Sequence, residues 1–235
     1  LWHNPRLAPQ RLAPGSEYDP NFYGGIDELI PNDMPETFNG VENVDHGELW
    51  TTPLDARVEG EALVLTGRLP LSGLAYERRM TLRPDGPYLD LDYRLSNSTP
   101  DTRRFLWKLH AALQIEPGDR IICPARTARV VDLEWSRRHT IEPFPWPTIE
   151  GERADILPAP DGTLDFFFLY DLEAGHMAWA SPTKGLTFAY TFDRAIFPYC
   201  WLFASFGGLD GHYTAVLEPC TTMPLSVNEA ARLGQ

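Results

Sequence analysis

Two ionisable side chains lie in strand-like runs far apart in the chain, and together they could form an acid–base pair. His110 lies within Phe105-Leu106-Trp107-Lys108-Leu109-His110-Ala111-Ala112-Leu113. Glu218 closes the apolar run Tyr213-Thr214-Ala215-Val216-Leu217 and is followed by Pro219. Strand alternation puts Leu106, Lys108, His110 and Ala112 on one face and Phe105, Trp107, Leu109 and Ala111 on the other. The second set reads as core, so His110 is expected on the opposite face, beside Lys108. The small Ala112 leaves room there for a ligand. An imidazole gains and loses a proton near neutral pH. A carboxylate at the end of an apolar strand is pushed upward in pKa, toward a usable general base.

Two glycine-containing stretches add candidates. Tyr23-Gly24-Gly25-Ile26-Asp27-Glu28-Leu29-Ile30-Pro31 lets the backbone turn sharply and sets two acids among apolar residues; Glu28 is the candidate substrate contact. In Asp45-His46-Gly47-Glu48-Leu49-Trp50 a histidine before glycine can present its ring at a loop. Trp50 offers a flat apolar face that could stack on a sugar ring. His46-x-Glu48 lacks the further histidine a metal centre of this kind would want, so no metal is expected. No G-x-S-x-G, phosphate loop or dinucleotide fingerprint is present.

The elements that must position these groups read as strands. Twenty-two prolines and eighteen glycines punctuate short segments, and no long helical periodicity appears. Strands are expected at 62–69, 76–82, 88–95, 105–115, 128–133, 164–171, 177–181, 186–192, 201–206 and 213–217. One short helix is expected at 227–233. Strands without intervening helices imply antiparallel sheets packed face to face. Residues 7–43, rich in Pro, Gly and Asn, read as long ordered loops of the kind that carry binding sites.

Composition narrows the function classes. The 235 residues are 43% hydrophobic and 23% charged, as in an ordinary globular protein. A net charge of −13 repels phosphate backbones and anionic membranes, so the expected partner is a small ligand and not nucleic acid or a membrane. No apolar run approaches a membrane span and no secretory leader is visible, which points to a cytoplasmic location. The chain opens on Leu1 and Trp2, so the natural N-terminus is expected to be missing. Cys123, Cys200 and Cys220 lack CxxC spacing and read as buried, reduced thiols.

Taken in order, the Gly24-Gly25-x-x-Glu28-x-x-Pro31 stretch, the His46-Gly47-x-x-Trp50 stretch, Arg94-Leu95-Ser96-Asn97-Ser98 before the His110 strand, and Leu217-Glu218-Pro219 resemble the aldose 1-epimerase (galactose mutarotase-like) superfamily. The resemblance runs from Gly24 to Pro224. It implies one large all-β antiparallel sandwich over residues 1–235, with a carbohydrate site on a concave face and further strands ahead of Leu1. It implies His110 as the acid, Glu218 as the base and His46 as a second histidine against the sugar, with no cofactor. The chain departs from the galactose-type pattern after His110, where Ala111-Ala112-Leu113 replaces an aromatic-Asn sequence, as in a divergent branch. Arg6 does not match the arginine with which such enzymes contact substrate. Two other readings stay open: a sugar-binding protein without turnover, and another sugar isomerase or lyase. A lyase acting on an acidic sugar would need cations such as Lys108, Arg78 or Arg79.

Overall fold

The computed structural model describes residues 1–235. Its first strands are β1 (Ile26–Leu29) and the small hairpin β2–β3 (Glu36–Phe38, Val41–Asn43). A meander follows, β4 (Asp55–Glu59), β5 (Ala62–Arg68), β6 (Leu74–Leu82) and β7 (Leu89–Asn97). Then come β8 (Lys108–Leu113), β9 (Arg120–Ile122), β10 (Ala125–Val130), β11 (Phe144–Pro145) and the ladder β12–β13 (Thr148–Ile149, Glu152–Arg153). The last are β14 (Thr163–Leu172), β15 (His176–Ser181), β16 (Leu186–Thr191), β17 (Tyr199–Phe206) and β18 (Tyr213–Cys220). A single short helix, α1 (Val227–Arg232), closes the chain, capped by the Ser226 hydroxyl accepting from the Glu229 N–H.

A seven-stranded sheet in the order β1-β8-β18-β17-β14-β10-β11 forms the body of the molecule. Its inner face packs against two smaller sheets, β4-β5-β6-β7 and β16-β15-β9. Every named strand pairing is antiparallel, so the architecture is the expected all-β sandwich.

Period-two alternation decides which face each residue serves. Leu109, Ala111 and Leu113 of β8, Ala215 and Leu217 of β18, and Leu202 and Ala204 of β17 point inward, into one apolar cluster of 33 buried residues. Burying a side chain such as Leu217 in full stabilises the fold by about 1.5–3 kcal/mol. Trp107 joins this cluster as its position predicted, with Tyr93 against its edge at 4.8 Å. The residues between these, His110, Ala112, Val216, Glu218, Trp201 and Phe203, face the other way. That outer face is itself roofed, by the N-terminal segment through Trp2, Tyr18 and Phe22 on one side and by α1 through Val227 on another.

The structure revises several expected boundaries. Residues 7–43 hold more than loops: β1 docks on β8 with Asp27 opposite His110 and Glu28 opposite Leu109, and β2 pairs with β3. Strands of three or four residues are too short to show an alternation, and their Pro, Gly and Asn neighbours mask them. The His110 strand is shorter than 105–115, because Phe105, Leu106 and Trp107 lead into β8 without joining its ladder. The Glu218 strand is longer, for β18 runs on through Glu218 and Pro219 to Cys220. Pro219 has no N–H to give a ladder. The register with β8 passes from Leu217↔Ala111 to Cys220↔Lys108 and is interrupted between them.

The three cysteines are buried and free, as expected. No helix is long and apolar enough to cross a membrane.

Candidate functional site

The outer face of the large sheet carries one row of in-register positions that gathers the chemistry. Asp27 stands opposite His110, and Trp201 stands opposite Glu218. The register set by Leu217↔Ala111 and Cys220↔Lys108 puts Glu218 directly across from His110. Side chains directly opposed on antiparallel neighbours begin about 5 Å apart at their Cβ atoms. His110 and Glu218 therefore rise side by side from neighbouring strands.

Both line one cleft of about 210 Å³. His46, Lys108, Asp33 and Tyr18 complete the polar wall, and Val216, Phe203, Phe166 and Val131 form an apolar floor. Two other concavities, of about 370 and 320 Å³, lie over the β4–β6 face and beside α1. Neither contains a histidine.

The cleft is electrostatically tight. Lys108 Nζ donates to Asp33 Oδ1 at 2.5 Å and stands 2.6 Å from Glu218 Oε2, with all three side chains largely buried. The contact to Glu218 is a close, buried ion pair. Lys108 also lies over the Trp201 ring, 4.3 Å from its centroid. Burial works against the ammonium, but Asp33 and then Glu218 hold it charged and raise its pKa. Burial raises the pKa of Glu218 despite the opposing pull of Lys108. Burial first, and then Lys108 and His46, hold His110 well below the ordinary histidine value.

A second group of contacts orients His110. Tyr18 Oη donates to Asp27 Oδ2 at 3.2 Å and stands 3.5 Å from His110 Nδ1. Burial pushes Asp27 up to about 6, with the Tyr18 hydrogen bond opposing the rise. The Tyr18 ring stacks on His46, with centroids 3.9 Å apart and planes within 5°. His46 occupies a left-handed backbone position, φ 58°, and Gly47 follows at φ 71°. That turn aims the ring back at Tyr18, and Asp45 Oδ1 holds Nδ1 at 3.0 Å.

Of the sequence-predicted residues, His110, Glu218, His46 and Lys108 come together at the cleft. Glu28 does not. It projects from the opposite face of β1, into the layer between the sheets, where Tyr76, Arg78 and Tyr93 donate to it at 2.5, 2.7 and 2.8 Å. Three donors and near-complete burial leave it no access to a ligand, and its neighbour Asp27 takes the place beside His110. Trp50 packs edge-on against Tyr18 at 5.0 Å, its indole N–H donating to the Gly47 carbonyl, and is absent from the cleft wall. Arg78 is committed to Glu28 and Arg79 to Glu59, so neither serves the cleft. Glu48, two residues from His46, accepts from the Leu71 and Ser72 N–H groups and caps that turn.

Tyr18, Phe22, Asp27, Asp33, Phe166 and Phe203 were not singled out by sequence. One signal existed for Phe166: three consecutive aromatics, Phe166-Phe167-Phe168, break alternation and mark a strand covered on both faces.

The chain superposes on a candidate aldose 1-epimerase from Escherichia coli K12 with a TM-score of 0.64 at 16% identity, covering 85% of this chain and 74% of that one. The Slr1438 protein from Synechocystis sp. PCC 6803 matches at a TM-score of 0.63 and 14% identity, over 87% of this chain and 70% of that one. A candidate aldose 1-epimerase from Klebsiella pneumoniae matches at a TM-score of 0.63 and 14% identity, over 90% of this chain but 58% of its own length. No family model matches the chain, and no curated protein does. At these identities the likeness establishes the fold: the chain has the all-β sandwich of the aldose-epimerase type.

Proposed function

We propose that the protein is an isomerase that interconverts the anomers of an uncharged aldose, with Glu218 and His110 as its acid–base pair. The observation that carries this reading is the placement of these two side chains across from each other on β18 and β8, lining one cleft. Anomer exchange needs a group that takes the proton from the C1 hydroxyl and another that gives a proton to the ring oxygen, and these two atoms share carbon 1. Glu218 takes the hydroxyl proton. The C1–O5 bond breaks with its electron pair going to O5, and the imidazolium of His110 protonates O5. The open-chain aldehyde rotates about C1–C2. Closure on the other face of the carbonyl returns one proton to His110 and the other from Glu218 to O1, so no proton is gained or lost. Positioned acid and base groups each contribute about 10²–10⁴ in rate.

The charge balance of the cleft disfavours an acidic-sugar lyase. Asp19, Asp33, Asp132 and Glu218 line it, no arginine does, and Lys108 is already held by two carboxylates. Sugar binding without turnover has one observation in its favour, the resistance of buried His110 to protonation. Polarimetry on freshly dissolved α-D-galactose and α-D-glucose separates the two. The wild type should hasten equilibration, and Glu218→Gln should lower that acceleration by about a hundredfold or more. Equal acceleration by both proteins rules out Glu218 as the base.

A further inference from the structure

Of the seven tryptophans in the chain only Trp135 is exposed, at 58%. The other six are buried or half-buried, and each packs against another ring or a lysine. An indole left in water forgoes the stabilisation that burial would bring. Trp135 is nevertheless firmly placed. Asp132 Oδ1 accepts from the Glu134 and Trp135 N–H groups at 2.8 and 3.1 Å. The Ser136 N–H donates to the Asp132 carbonyl at 2.9 Å, and the Arg137 N–H donates to the Leu164 carbonyl of β14 at 2.8 Å. The loop so held presents Trp135 to the same cleft that His110 and Glu218 line.

That cleft is closed at one end. Beside His110, Asp27 stands across from it on β1, and the stacked rings of Tyr18 and His46 form a wall. Away from this end the floor continues from strand to strand. Phe203 stands opposite Val216, Phe166 opposite Phe203, and the Val131 N–H donates to the Phe166 carbonyl. The floor thus crosses from β18 over β17 and β14 to the end of β10, three strand spacings or about 14 Å. One pyranose ring spans about one such spacing. With C1 between Glu218 and His110, the ring extends away from the closed end, and C4, the carbon across the ring from C1, leads toward Trp135. A second ring joined there would lay its C–H face over Phe166 and Val131, against the flat indole, and Asp132 on the same wall could accept from its hydroxyls. We infer that Trp135 and Phe166 form a second sugar subsite, and that the substrate class is reducing disaccharides carrying their second unit on O4. The inference rests on the isomerase reading proposed above and adds to it the size and linkage of the substrate.

The test compares α-lactose, whose reacting unit is glucose substituted on O4, with α-D-glucose. Polarimetry gives kcat/KM for each sugar, and calorimetry on Glu218→Gln gives affinity where turnover does not interfere. Covering an aromatic face of this size should favour lactose by about tenfold in wild type. Trp135→Ala should bring the lactose-to-glucose ratio close to one, and Trp135→Phe, which keeps a smaller face, should restore part of it. Because each ratio is taken on one protein, a general loss of folded enzyme cancels. Acceleration of both sugars with no preference for lactose, or with a preference that Trp135→Ala leaves in place, overturns the inference and leaves the isomerase reading standing. No acceleration of either sugar, with a tighter binding of lactose that Trp135→Ala abolishes in the Glu218→Gln background, removes the isomerase reading and retains the subsite. No acceleration and no difference in binding removes both.

Discussion

Lys108 holds Glu218, the proposed base, through a buried ion pair shared with Asp33, and its removal is the most informative single change in the cleft. Two carboxylates, Asp33 and Glu218, share its one ammonium. Removing one partner of a buried ion pair leaves uncompensated charge and typically costs about 3–5 kcal/mol. Lys108→Met should therefore lower stability by about 3 kcal/mol or more in urea titrations. The same cation lowers the pKa of His110 and that of Glu218. The proposed mechanism needs a carboxylate and an imidazolium, so its activity should fall as pH drops through the Glu218 pKa and as pH rises through the His110 pKa. Without Lys108 both values move up. The whole kcat/KM profile should then shift to alkaline pH, and an unmoved or acid-shifted optimum counts against this electrostatic account. His110, Glu218 and Lys108 stood out as ionisable groups on strand-like runs and His46 as a loop histidine before a glycine, while the family resemblance supplied the roles expected of His110, Glu218 and His46. The choice between Asp27 and Glu28 was not visible that way. They are adjacent, alternation sends them to opposite faces, and only the pairing of β1 with β8 fixes which faces His110.

At the scale of elements, strand rows fix the pair and turns bring the roof over it. The His46–Gly47 turn is the tightest of these. A Cβ on Gly47 would sit 2.3 Å from the Ile30 carbonyl oxygen and 2.6 Å from its carbon, at a φ of 71°. Both atoms are backbone and cannot swing aside, and the residues after Ile30 lead to Asp33. Gly60 in the β4–β5 turn has a similar φ of 62°, with open space around it. The two positions therefore separate conformational strain from collision. Gly60→Ala should show the left-handed penalty alone, about 1–2 kcal/mol. Gly47→Ala adds the clash and should lower the melting temperature by several degrees more in a thermal scan. It should also weaken the proposed sugar binding as His46 loses its stack on Tyr18. Equal melting points for the two variants would mean the turn relaxes freely. The ten longer strands and α1 were legible because they are long enough for apolar alternation or a cap to show. Pro219 concealed the end of β18, since a proline in a central strand is read as a stop. Here the interrupted ladder with β8 accommodates it.

The whole molecule adds a field that no single contact supplies. The chain carries a net charge of −13, and the cleft opens among four carboxylates with its one lysine already neutralised. Such a field lowers the local concentration of anions at a concave site and leaves neutral ligands untouched. Its reach follows the screening length, about 30 Å at 0.01 M salt and about 8 Å at 0.15 M. Two sugars that differ by one charged group should then respond differently to salt. For D-galactose, kcat/KM should be flat between these ionic strengths. For D-galactose 6-phosphate it should be lower at 0.01 M and should recover part of the difference at 0.15 M. The part that persists belongs to the cleft itself, where no arginine is present to pair with phosphate. A phosphorylated sugar used better at low salt would show that the long-range field attracts anions, and would reopen the acidic-substrate reading that the charge balance of the cleft now disfavours.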